Sequence, residues 1–122
     1  MATHNTIGEL GEEIVARHLA QNGYRLLTRN YRAGRQEVDL IAEDGTELVF
    51  IEVKTLSRSE TIHPESAVTP AKQRNLLTAA EHFLHENGLQ DTLCRFDVVA
   101  VGLDDPTHPR ITHLKDAFRG GL

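Results

Sequence analysis

The run Glu37-Val38-Asp39-Leu40-Ile41-Ala42-Glu43, the pair Asp44-Gly45 and the run Glu47-Leu48-Val49-Phe50-Ile51-Glu52-Val53-Lys54 decide how this chain folds. Both runs are apolar at heart and rich in residues that suit a pleated, half-buried surface. Asp-Gly between two such runs is a strong hairpin signal. With Asp44-Gly45 as a two-residue turn, Asp39 falls opposite Phe50 and Glu37 opposite Glu52. Side chains alternate along a strand, so Asp39, Glu52 and Lys54 share one face. Asp39 and Glu52 are then diagonal neighbours, roughly 7–8 Å apart at the backbone. Two carboxylates so placed can lean toward one divalent cation, each giving an oxygen at about 2.0–2.6 Å. A four-residue turn keeps this parity, whereas a three-residue turn flips one strand and disperses the group. The same residues also make a plain hairpin with one charged, solvated face.

Outward from the hairpin, the chain reads as a mixed α/β domain. Ile7, Leu10, Ile14, Val15 and Leu19 recur at helical spacing and predict a helix from Ile7 to about Gln21. Asn5 or Thr6 can cap its start, and Asn22-Gly23 stops it. Tyr24 to Tyr31 reads as a strand and Arg32 to Arg35 as a loop. Beyond the hairpin, Thr55 to Pro64 is polar and irregular, and Pro64 to Val68 suits a short helical turn. Thr69-Pro70 is a helix start, with a threonine cap and proline at the first helical position, and Gly88 marks the stop. Arg95 to Val101 is a strand, Ile111 to Leu114 a short last one, and Arg119 to Leu122 a loose tail. The order helix, three strands, helix, strand predicts a mixed sheet flanked by helices. No repeat or linker divides residues 1–122, so a single domain is expected.

Composition narrows the function classes. One cysteine, Cys94, excludes an intrachain disulfide and any multi-cysteine zinc site, and points to a reduced, cytoplasmic setting. No apolar run has the length of a membrane span, and Met1 to Leu10 has no signal-peptide character. Aromatic content of 5% with no Trp argues against broad base-stacking surfaces. The net charge of −5 hides an asymmetry: Ile14 to Gln36 holds Arg17, Arg25, Arg29, Arg32 and Arg35 and no acid. Such a stripe can meet phosphates on an otherwise acidic protein, or protect an exposed sheet edge. No phosphate-binding glycine loop, serine nucleophile elbow or dinucleotide fingerprint is present.

A third acid, Glu12, sits at the edge of the first helix's apolar stripe, with Gly8 four positions before it and Val15, Ala16 and Leu19 after. A carboxylate at a core boundary is costly unless paired or bound to a cation. It reads equally as a partner for a neighbouring arginine. His82 and His85, one helical turn apart, read as a surface pair. Gln73 reads as a buried, hydrogen-bonded glutamine, Asp97 as half of a structural salt bridge, and Cys94 as a small hydrophobe. Lys72 and Arg74 either touch a nucleic-acid backbone or merely solvate the first turn of their helix, and Arg58 and His63 either meet phosphate or lie in a disordered loop, the safer reading.

Taken in order, Gly8-x-x-Gly11-Glu12 with Ala16, Gly23-Tyr24, Arg29-Asn30-Tyr31-Arg32, Glu37-Val38-Asp39-Leu40-Ile41-Ala42, Phe50-Ile51-Glu52-Val53-Lys54-Thr55, Lys72 and Arg95-Phe96-Asp97-Val98-Val99 resemble the YraN-like family of bacterial proteins. That family in turn resembles the restriction-endonuclease-like PD-(D/E)XK nucleases, archaeal Holliday junction resolvases in particular. The resemblance implies a restriction-endonuclease-like α/β fold and a metal-dependent DNA endonuclease. It implies catalytic Glu12, Asp39, Glu52 and Lys54, and Mg²⁺ or Mn²⁺ held by Asp39 and Glu52 with Glu12 and the carbonyl of Val53. Phosphate contacts would come from Arg25, Arg29, Arg32, Arg35 and Lys72. Branched DNA as substrate and a homodimer follow from the same likeness. The chain departs from the family pattern at Gln36, where glycine is usual, and after Thr55, where Leu56 precedes Arg58. A nuclease-fold protein that binds nucleic acid or acts as an adaptor without cutting is the alternative reading, and a protein-interaction module a third.

Overall fold

The structure, a computed structural model, describes residues 7–63 and 67–118. Helix α1 spans Ile7–Gln21, strands β1, β2 and β3 span Arg25–Ala33, Gln36–Asp44 and Glu47–Leu56, helix α2 spans Pro70–Glu86, and strands β4 and β5 span Cys94–Gly102 and Arg110–Phe118. The five strands form one sheet in chain order. Neighbours run antiparallel except β3 and β4, which are parallel. A parallel pair needs a long crossover, and α2 is that crossover. The result is an α/β fold of the restriction-endonuclease-like kind, as the sequence implies.

The helices lie on opposite faces of the sheet. Val15 and Leu19 of α1 pack with Leu40, Ala42, Val49, Ile51, Val99 and Val101. Leu76, Ala80 and Phe83 of α2 pack with Val38, Ile41, Phe50, Phe96 and Val98. Leu48 to Ile51 is therefore covered on both sides, which explains an unbroken apolar run where alternation would be expected of a half-exposed strand. Full burial of each such side chain contributes roughly 1.5–3 kcal/mol. At the end of α1, Gly23 takes φ +86° and Tyr24 N–H donates to Leu19 C=O at 3.0 Å. At the start of α2, the Thr69 hydroxyl accepts from Lys72 N–H at 3.2 Å, with Pro70 in the first turn.

Three expectations are corrected. The hairpin turn is Gly45-Thr46, not Asp44-Gly45: Asp44 pairs with Glu47, Ile41 with Phe50 and Leu40 with Ile51. Gly45 supplies a φ of +65°, and Arg95 reaches both Asp44 and Glu47 at 3.0 Å, pinning those two residues as a pair. The shift is by two residues, so along the paired part of the hairpin the faces survive and the partners change, but alternation breaks at Asp39, with Val38 packed toward α2 and Leu40 toward α1. Second, Arg32 belongs to β1, which continues to Ala33. Only Gly34 and Arg35 form the turn, with Gly34 at φ +63°. Third, β5 runs to Phe118 because Phe118 stacks on Phe96 at 4.8 Å between ring centroids. The Asn5 or Thr6 cap and the tail from Arg119 lie outside the described residues, as does most of the short turn expected at Pro64 to Val68.

Candidate functional site

The ladder between β2 and β3 stops at Leu40–Ile51. Past that point each strand follows its outer neighbour: Glu52 runs beside Val98 and Lys54 beside Ala100, while Val38 pairs with Tyr31 and Glu37 with Arg32. Asp39 stands in this fork. Its Oδ2 accepts the Val53 N–H at 2.8 Å, so a carboxylate takes the backbone donor that a ladder carbonyl would otherwise satisfy. Asp39 and Glu52 are the first residues past the last β2–β3 pair, and each acts on the other's carboxyl. Glu52 follows Leu48 and Phe50 onto the α2 face by alternation. There its Oε2 lies 3.6 Å from Lys72 Nζ of α2, while its Oε1 is buried without a hydrogen-bond partner among the described residues.

Glu12 approaches from the α1 side. Gly11 makes that approach possible, because a Cβ there would meet Thr55 Oγ1 at 2.5 Å. The fork lets charges from both faces meet, and Glu12 lies in the field of Asp39 and Glu37. Asn30, on β1 with φ +52°, has its amide 3.2 Å from both Glu12 Oε1 and Glu37 Oε2, and the orientation that satisfies all three groups is the one with its nitrogen toward the two carboxylates. A left-handed residue within a strand is strained, and asparagine bears that strain better than most side chains.

Burial and mutual repulsion set the protonation of these acids. Burial pushes the Glu52 carboxyl up to about 7, Asp39 pushes the same way, and the charges of Lys72 and Lys54 hold it down. Asp39 is raised chiefly by burial and held back by the Val53 N–H. Glu12 is raised by burial, then by Asp39 and Glu37. The oxygens so exposed to one another suit a hard divalent cation, which prefers carboxylate, carbonyl and water ligands. Among the described residues no three His, Cys, Asp or Glu side chains are gathered to hold a metal by themselves. The close set is thus Asp39 with Glu52.

Lys54 is exposed and lines a cavity of about 230 Å³ with Leu56, Glu60, Thr61, Ile62, His63 and Ala67. Of the arginines, Arg25 pairs with Glu43 at 2.8 Å and Arg29 with Glu13 at 2.7 Å. Arg17 shares Glu13 at 3.1 Å, one helical turn away. Arg32 and Arg35 are exposed at the β1–β2 turn. Sequence reasoning missed three contributors: Lys72 as a partner of Glu52, Asn30, and Glu37 as a neighbour of Glu12. Glu37 had a signal, lying two residues before Asp39; Asn30 stood within the Arg29-Asn30-Tyr31-Arg32 motif, which assigned it no role.

The remaining candidates fall to structural roles. Gln73 Nε2 donates to Val68 C=O at 3.0 Å. His82 lies 2.9 Å from the Tyr31 hydroxyl and pairs with Glu86, and His85 meets Gln90, so the two histidines share no partner. Asp97 is buried and fully engaged: Arg95 Nε donates to its Oδ1 at 3.0 Å, Asp116 N–H to the same oxygen at 2.9 Å, and His113 Nε2 lies 2.7 Å from its Oδ2. Arg95 also donates to the Tyr24 hydroxyl at 2.7 Å. No helix among the described residues is long and apolar enough to cross a membrane.

The family model of "Uncharacterised protein family UPF0102" matches residues 11–101. A UPF0102 protein of Geobacter sulfurreducens is 44% identical over 116 residues, covering 94% of this chain and 91% of that one. One from Chlorobaculum parvum is 48% identical over 119 residues, covering 92% and 91%. Another, from Chlorobium limicola, is 43% identical over 119 residues, covering 93% and 92%. The match takes in every residue of the fork.

Proposed function

The chain belongs to the uncharacterised protein family UPF0102, the YraN-like family, and we propose that it is a metal-dependent DNA endonuclease. One observation carries the reading: a buried Glu52 oxygen without a hydrogen-bond partner among the described residues, near a second acid, Asp39, at a break in the sheet. Proteins rarely leave a buried carboxylate oxygen unsatisfied unless something else completes it. Asp39 and Glu52 would hold Mg²⁺ or Mn²⁺, with the Val53 carbonyl as a further oxygen and Glu12 acting through water. Bound there, the cation supplies Lewis acidity toward a phosphoryl oxygen and lowers the pKa of its water.

The chain's own groups do the rest. Asp39, tied to Val53 N–H, is fixed in place. Lys54, exposed beside Glu52, offsets charge on a scissile phosphate and orients the attacking water. Arg25, Arg29, Arg32 and Arg35 line the outer strand and turn, where they meet phosphates without reading sequence. Branched DNA fits the resolvase likeness, and a homodimer fits two cuts at one junction. A second reading, binding without cutting, draws on one observation: no three acids gather into a ready cage among the described residues.

Cleavage of junction, flap and linear DNA with Mg²⁺ or Mn²⁺ tests the proposal. Wild type should cut at least one substrate, and Glu52→Ala and Lys54→Ala should each abolish cutting. Activity that survives both substitutions belongs to a contaminant. Salt-dependent binding without cleavage on every substrate favours the second reading.

A further inference from the structure

We propose that Lys72 is a resident counter-cation of the Asp39–Glu52 pair, which a divalent cation displaces and which then turns to the substrate phosphate. The inference rests on the metal reading above. Among the described residues Lys72 is the cation in ion-pair range of Glu52, at 3.6 Å from Oε2. Lys54 stands on the same face but is exposed, and Arg25 and Arg29 are engaged by Glu43 and Glu13. The Lys72 charge also acts on both Asp39 and Glu52.

Its place in the helix argues for a role. Lys72 sits in the first turn of α2, where the helix dipole disfavours positive charge, and that turn carries no acid to compensate. The backbone there is held by the Thr69 cap, so the ammonium swings on a flexible stem from a fixed base. Its side chain is 41% exposed, which leaves a path outward. The ion pair is also incomplete: Lys72 faces Oε2, and among the described residues Oε1 is left without a hydrogen-bond partner. An ammonium and a dication in contact with one carboxylate repel each other, so the two occupy the site in turn. Once turned out, the ammonium lies at the mouth of the fork, where a phosphate would approach.

Calorimetric titration of MgCl₂ into the full-length protein at pH 8.5 and low salt tests this. Wild type is compared with Lys72→Met, Lys72→Arg and, as a control for charge loss on the same helix, Arg74→Met. Lys72→Met should bind Mg²⁺ about three- to tenfold more tightly than wild type. Lys72→Arg and Arg74→Met should stay within about twofold. DNA binding by anisotropy, with non-cleaving Ca²⁺ present, should weaken for Lys72→Met and be kept by Lys72→Arg. This opposite pair of changes is not what a lysine that merely solvates the helix start would give. Equal Mg²⁺ affinity in Lys72→Met and wild type overturns the inference and leaves the metal reading standing. No binding by any of the proteins overturns both.

Discussion

Asp97 on β4 and Glu52 on β3 are acids drawn out of water by the same sheet, and their surroundings treat them in opposite ways. Asp97 receives Arg95, His113 and the Asp116 N–H, and its carboxyl stands below the usual carboxylate range despite its burial. Among the described residues Glu52 has one ammonium at 3.6 Å, an acid beside it and an oxygen with no hydrogen-bond partner, and its carboxyl is pushed up to about 7. The difference is one of completion. The protein finishes the Asp97 site itself, so that site locks β4, β5 and the hairpin mouth together. It leaves the Glu52 site unfinished, and an unfinished buried acid is a binding site in waiting.

The sharpest way to break this comparison is to remove each acid. Asp97→Ala leaves Arg95 buried without its main partner and should cost about 3–5 kcal/mol in denaturant unfolding at pH 7. Because the Asp97 carboxyl is depressed, its stabilisation is complete above the unfolded carboxylate value of 3.8 and fades as pH falls through its folded value. Glu52→Gln should do the reverse. A raised carboxyl binds its proton more readily in the folded state, so it subtracts from stability as pH rises from 4.5 through about 7. Glu52→Gln should therefore gain roughly 1–3 kcal/mol at pH 8 without divalent cations, and nothing at pH 4. Destabilisation by Glu52→Gln at pH 8 would make the two acids alike and undo the contrast.

Smaller effects sharpen the picture around the fork. Asn30→Ala loses the amide that holds Glu12 to Glu37 and forces alanine into φ +52°, for a loss of about 1–2 kcal/mol. Asn30→Gly relieves the backbone and should lose less, so the gap between the two variants, read by thermal melting, measures the strain. The smallest effect belongs to Arg29→Ala. Exposed pairs such as Arg29–Glu13 contribute little, and melting should not change measurably. DNA binding should still weaken, with the salt slope reduced by about one.

Much of this was legible in the sequence. Helical spacing marked α1, Thr69-Pro70 marked the start of α2, and the hairpin signal brought Asp39 to the Glu52-Val53 segment. Parity survived an error of two residues in the turn, because the side-chain period of a strand is two. What stayed hidden depends on long-range contacts. The hairpin register is fixed by Arg95, 51 residues from Asp44 and 48 from Glu47. The fork arises because β3 stays with β4 and β2 with β1, which no local pattern encodes. Lys72 and Asn30 join the site only once α2 and β1 pack beside it, and Lys72 in a first helical turn reads as solvated until Glu52 is seen beneath it.

The most direct measurement is anomalous scattering from crystals grown with Mn²⁺ at pH 8, for wild type and Glu52→Gln. The account expects one strong peak in wild type, within about 2.0–2.6 Å of a carboxylate oxygen from each of Asp39 and Glu52, and no such peak in Glu52→Gln. A wild-type peak that ignores these two acids, or none at all with Lys72 still against Glu52, would contradict it.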